Sequence, residues 1–227
     1  MAKIVIDSLR YIRQNHWIKI YAYVIMPNHI HLIVKCLEGH RPSEVLRDFK
    51  KFTSKEIVEE LRRRQDQPLL RSFKTAASSP KRQTYKVWED GYFDKSVYSE
   101  SFLFQKMRYI HNNPVYDRWG LVDKPEQYEY SSAKNYLLGE HSVLEIDHYS
   151  ELLDDPQRGQ DQGFGRTGGK NPVPRFAGQS AGLQIPPQRE ATSRWIHVLT
   201  FSKDAIQGAL AGLHTAPLRG IRQSKGD

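Results

Sequence analysis

The strongest constraint on the fold lies in one segment, WIKIYAYVIMPNHIHLIVKC, from Trp17 to Cys36. β-Branched and aromatic residues dominate both of its halves and favour extended backbone. Pro27-Asn28 separates the halves with a turn signal, because Pro fixes φ and Asn tolerates tight-turn conformations. The segment predicts a β-hairpin, Trp17–Met26 followed by His29–Cys36. Its apolar stretch is broken by Lys19, Pro27, Asn28, His29 and His31, which rules it out as a membrane span. No other segment is expected to cross a membrane, and the N-terminus lacks the apolar core of a signal peptide.

A hairpin needs helices to cover its apolar face, and the flanking sequence supplies them. Ile4, Ile6, Leu9 and Ile12 are loosely helical in spacing over Lys3–Asn15. Val45, Phe49, Phe52, Ile57 and Leu61 mark a long helix over Pro42–Arg64. Ser99 caps a third, with Glu100 in its first turn, which runs to Asn113 and is stopped by Pro114. Gln65–Arg82 reads as an exposed loop and Gln83–Trp88 as a short strand. The order predicts an α+β antiparallel sandwich.

Composition then divides the chain. All 12 Tyr lie at or before Tyr149, whereas 11 of the 15 Gly lie in Asp154–Asp227, so the two parts cannot share one kind of core. Residues 1–150 read as the folded domain and residues 151–227 as a Gly/Pro-rich, disordered tail. Within the tail, Trp195–Leu213 is expected to form a transient helix. A single cysteine excludes an intrachain disulfide framework and fits a reducing, cytoplasmic setting. A net charge of +8 fits a polyanionic partner, most simply nucleic acid.

Two elements carry chemistry. His29 and His31 are two apart on a strand, so both rings leave one face, a half-site for a divalent ion. The bland alternative is a pair of surface or hydrogen-bonded histidines. In the helix SESFLFQKMRYIHNNPV, Leu103, Met107 and Ile110 form a core stripe. Tyr109 and Asn113, at i and i+4, lie on a neighbouring stripe and can serve one site. Asn113 offers a neutral oxygen to complete a metal's coordination, and Tyr109 an oxygen able to attack phosphorus. A packing tyrosine with its hydroxyl in water is the bland reading of Tyr109. His111 turns away from Tyr109 on the helix.

The segments MPNHIHLIV, MRYIHNNPV and KPEQYEYSSAKNY, in this order, resemble the transposase IS200-like family of HUH-type single-tyrosine transposases. Within it they resemble the branch of REP-associated tyrosine transposases. The resemblance runs from about Lys3 to Tyr149. It implies a ferredoxin-like antiparallel sheet with helices on one face and the tyrosine helix packed beside the His strand. It implies that His29, His31 and Asn113 bind Mg²⁺ or Mn²⁺. Tyr109 would cleave and rejoin single-stranded DNA at hairpins or REP-like palindromes through a 5′-phosphotyrosine. It admits a homodimer. Family members begin with a strand ahead of the first helix, whereas this chain opens at MAKIVIDSLRYIRQ, already helical. The resemblance therefore implies a sheet lacking its first strand, beside the His strand.

Between the hairpin and the tyrosine helix, Arg41–Lys86 holds 13 Lys+Arg against 6 Asp+Glu, including Arg62, Arg63, Arg64, Lys81 and Arg82. These residues are expected to track a DNA backbone, with Trp88, Tyr92 and Phe93 stacking on unpaired bases. A solvated helix face and a core edge are their bland readings. Two other functions fit parts of the pattern: a catalytically dead remnant that only grips hairpin DNA, and a nuclease in which the His pair activates water.

Overall fold

The computed structural model describes residues 1–77, 83–91, 93–96, 99–153 and 194–200. Helix α1 (Ala2–Gln14) turns Val5, Ile6, Leu9 and Ile12 inward. Strands β1 (Ile18–Ile25) and β2 (His29–Cys36) form the expected hairpin. Helix α2 (Pro42–Arg63) follows, with Pro42 in its first turn, where the missing N–H costs nothing.

The expected loop Gln65–Arg82 is instead largely helical, as α3 (Gln67–Ala76). Gln65 takes φ 58, which ends α2 and reverses the chain. Asp66 then accepts a hydrogen bond from Leu69 N at 3.1 Å and caps α3. Leu69, Leu70 and Phe73 are buried, which gives this polar stretch its reason to fold. Lys81 and Arg82 lie outside the described residues. Gln83–Trp88 forms no strand; Val87 and Trp88 enter the core, and the strand comes later, as β3 (Phe93–Ser96). Helix α4 (Glu100–Asn112) starts at Ser99, whose hydroxyl accepts from Phe102 N at 3.1 Å. Two short helices, α5 (Ala133–Leu137) and α6 (Ser150–Leu153), follow.

The sheet gains one further strand, β4 (Arg194–Thr200), which corrects the transient helix expected from Trp195. The sheet order is β1-β2-β4-β3, with every pair antiparallel. Strand β4 pairs with β2 over seven residues, from His29 opposite Thr200 to Lys35 opposite Arg194. The place beside the His strand is thus filled from the C-terminal part of the chain, and one stretch of the expected tail belongs to the fold. The backbone groups of β2 find ladder partners on both sides.

The antiparallel α+β class is as expected, but the helices divide between both faces of the sheet. Ile30, Leu32 and Val34 of β2 pack with α1, α2 and α3 in one cluster. Ile33 packs with Leu103, Met107 and Ile110 of α4 in another. A bulge at Tyr21 in β1 lets Tyr21 and Ala22 both join the α4 side while Tyr23 returns to the opposite core.

The outer edge of β1 is closed by the segment 128–147. Tyr130 O accepts from Ile25 N at 2.9 Å, and Ser132 N donates to Tyr23 O at 3.0 Å. The hydroxyls of Tyr128 and Tyr136 donate to Ile25 O and Tyr21 O, at 2.9 and 2.5 Å. Asp147 N donates to Ile20 O at 2.7 Å. The tyrosine-rich motif KPEQYEYSSAKNY thus covers an edge that would otherwise be open to pairing with another chain.

Candidate active site

The strand period of two places His29 and His31 on the α4 side of the sheet, while their neighbours anchor the opposite core. Their rings meet edge to face with centroids 4.7 Å apart, and both are buried. Helix α4 lies over them because Leu103, Met107 and Ile110 seat it on β1 and β2. That seating brings Tyr109 and Asn113 to the histidines. The Tyr109 ring stands 5.2 Å from that of His31, edge to face, yet the residue stays 38% exposed. Asn113 is wholly buried at the end of the helix, and Pro114 prevents another turn. The structure therefore assembles all four residues singled out as catalytic or metal-binding.

Burial holds both imidazoles neutral at pH 7. His29 is lowered to about 4, chiefly by desolvation, with a hydrogen bond to Asn113 opposing and the Arg118 charge adding to the shift. His31 is lowered to about 3 by desolvation first, then by the charges of His29, Arg118 and Lys106. Neutral imidazoles keep a lone pair free for a cation.

The contacts of His29 are unusual. Its Nδ1 lies 2.5 Å from Asn28 Oδ1 and its Nε2 lies 3.2 Å from Asn113 Oδ1. A neutral imidazole has one N–H, so in this amide orientation one nitrogen faces a carbonyl oxygen lone pair to lone pair. His31 Nε2 and Asn113 Nδ2 are buried without a hydrogen-bond partner. The atoms able to hold a metal here are His29 Nε2, His31 Nε2 and Asn113 Oδ1. No group of three or more His, Cys, Asp or Glu with metal-binding geometry occurs among the described residues.

His111 points away from the site, as expected. Its Nε2 lies 2.9 Å from Ser132 Oγ, and that same oxygen accepts from Tyr23 N at 2.9 Å. Burial pushes His111 down to about 4, so it too is neutral. The contact ties the tyrosine helix to β1 through the second serine of the YSS motif, a role that spacing alone does not show.

Of the expected DNA-tracking residues, Arg62, Arg63 and Arg64 are not brought to this site. Arg62, Arg63 and Arg64 sit at the end of α2, whose buried residues pack on the opposite face of the sheet. Glu60 pairs with Arg63 at 2.6 Å and Arg64 at 2.5 Å, and Arg62 lies over the Tyr85 ring. Trp88 is a core residue, 5% exposed, with its Nε1 donating to Thr53 Oγ1 at 2.9 Å, which removes it from any base-stacking surface. Tyr92 lies outside the described residues. Sequence reasoning missed Trp119, whose ring is 5.6 Å from His29, and Arg118, whose guanidinium lies 5.9 Å from the Trp119 ring centroid. Both follow Pro114 on an irregular turn, where no periodicity points to them.

No helix among the described residues is long and apolar enough to cross a membrane. No curated protein and no solved structure matches the chain. Residues 1–113 match the family model described as "Transposase IS200 like". The match spans both histidines, the tyrosine helix and Asn113, so the cluster found in space lies wholly inside it. The part of the chain that carries the cluster is thus similar to IS200-like transposases.

Proposed function

We propose that the chain cleaves and rejoins single-stranded DNA at hairpins or REP-like palindromes, using Tyr109 as nucleophile and a divalent ion, Mg²⁺ or Mn²⁺. The observation that carries this reading is the convergence of a solvent-reaching phenol with two neutral imidazoles and a carboxamide oxygen. The residues fit a metal. A cation relieves the lone-pair opposition between His29 Nε2 and Asn113 Oδ1, and it gives the buried His31 Nε2 a partner. Two nitrogens and one uncharged oxygen suit a hard or borderline divalent ion that keeps further positions for phosphate oxygens.

His29, His31 and Asn113 hold the ion, which when bound polarises the scissile phosphate and steadies negative charge on it. Tyr109 supplies the attacking oxygen. The Oη–P bond forms as the bond from phosphorus to the 3′ oxygen breaks; the phenolic proton leaves to solvent, and the departing oxygen takes one up. The products are a 5′-phosphotyrosine and a free 3′ hydroxyl. Because one phosphoester replaces another, a second strand's 3′ hydroxyl can reverse the step without an external energy source.

Incubation with a 3′-fluorescein-labelled hairpin oligonucleotide and Mg²⁺ tests this. The parent chain should yield a denaturant-stable adduct, and Tyr109→Phe should yield none while still binding the oligonucleotide. An adduct in Tyr109→Phe would move the nucleophile to another tyrosine, such as Tyr116, whose ring lies 6.1 Å from that of Tyr109. Binding without an adduct in the parent chain would favour a binding module that performs no chemistry.

A further inference from the structure

The turn after the tyrosine helix carries a cation, Arg118, with no carboxylate partner among the described residues. Leu121 N donates to Pro114 O at 2.9 Å, while Trp119 N and Gly120 N donate to Tyr116 O at 2.7 and 3.0 Å. Gly120 takes φ 50, which an L side chain rarely adopts, and this closes the loop. The turn is fixed against the site by its rings. Trp119 packs on His29 and Tyr116 lies beside Tyr109. Arg118 stands exposed, its guanidinium 5.9 Å from the centroid of the Trp119 ring that packs on His29.

Elsewhere, Arg13, Arg41, Arg63 and Arg64 each hold a carboxylate within 3 Å or less. Arg118 makes no ion pair among the described residues, although Asp117 precedes it. A guanidinium left without a carboxylate, on a hydrogen-bonded turn at the mouth of a site for polyanion chemistry, has the geometry of an anion receptor. Its planar fork matches the oxygens of a phosphodiester.

We propose that Arg118 binds a backbone phosphate of the DNA strand entering the site, with Tyr116 as an exposed ring beside it on which an unpaired base can stack. This rests on the reading of the site as a DNA strand transferase. It assigns strand binding to the turn 116–120 rather than to the basic end of α2.

The test is fluorescence anisotropy of a labelled oligothymidylate with the full chain, without divalent metal, across a salt series. Arg118→Gln should weaken binding about tenfold, the loss expected for one charge-assisted hydrogen-bonded contact. It should also flatten the slope of log affinity against log salt by about 0.7, the value for one phosphate on a single strand. Arg118→Lys should restore the slope, because the charge remains, while recovering only part of the affinity. Lys3→Gln, an exposed cation on α1 across the sheet, should leave both unchanged.

Affinity and slope unchanged in Arg118→Gln overturn the proposal, as does an Arg118→Lys variant that behaves like Gln. Failure of the two readings can be told apart. An Arg118 effect on binding with no covalent adduct in the parent chain keeps the phosphate contact and removes strand transfer. An adduct in the parent chain with full affinity in Arg118→Gln does the reverse.

Discussion

Removing the Ser132 hydroxyl should destabilise the protein far more than a typical serine substitution. Ser132 is wholly buried, and its oxygen serves Tyr23 N and His111 Nε2, each at 2.9 Å. Ser132→Ala strands both groups in a site that water does not reach. Each stranded group costs about 1–3 kcal/mol, so the variant should lose roughly 2–6 kcal/mol. That is a large share of the 5–15 kcal/mol typical of a folded domain. Urea denaturation with an unchanged m-value would measure it.

A double-mutant cycle identifies the cause. Once His111 is Leu, Ser132→Ala strands only Tyr23 N, so the pair should cost less than the sum of the singles by at least about 1 kcal/mol. Because the contact ties α4 to β1, Ser132→Ala should also slow adduct formation by Tyr109 without weakening oligothymidylate binding. A stability loss below about 0.5 kcal/mol, within the range of an ordinary surface change, or strict additivity in the cycle, would refute the linkage.

Stability should fall in acid through the buried histidines. His29 and His111 are held near 4 and His31 near 3, whereas the unfolded chain titrates near 6.5. As pH drops below about 6.5 the unfolded state takes up protons that the native state refuses, so unfolding becomes easier by up to about 1.4 kcal/mol per pH unit for each histidine. Denaturation midpoints measured from about pH 7 to about pH 4.5 should decline steadily; a flat profile would show that these rings are not buried neutral. Separately, Val198→Pro should disrupt the ladder opposite His31, because proline has no N–H to donate and is not tolerated within a central strand, and should speed amide exchange in β2. Unchanged exchange there would mean that β4 does not protect the His strand.

What could be read from the sequence was local. The period-two pattern gave β2 its observed bounds, and Ser99 with Glu100 marked the start of α4. The helix period put Tyr109 with Asn113 and the strand period put His29 with His31; that the two pairs meet was implied by the family resemblance, not by spacing. Helix α3 was hidden by its charged surroundings, although Asp66 followed by Pro68 and the pair Leu69-Leu70 carries a start signal. Trp88 looked like a stacking residue because sequence does not report that Thr53 waits for its N–H inside the core. Strand β4 was the hardest element. Trp195 and Leu199 are four apart, which mimics a helix, and the Gly/Pro-rich stretch before them suggested no fold. Its extended state is set by β2, a partner that no local window contains.

The distance along the chain between those two strands has a consequence for assembly. His31 lies opposite Val198, so the ladder closes a loop of 167 residues, 198 minus 31. Contacts of such long range form slowly, because chain entropy is lost before they return any stabilisation. During synthesis, α1, the hairpin and the tyrosine helix are all made well before residue 194 emerges. Through that interval the strand bearing both imidazoles is a bare sheet edge on one side, and the chemistry of the site waits on the last seven residues to join the sheet.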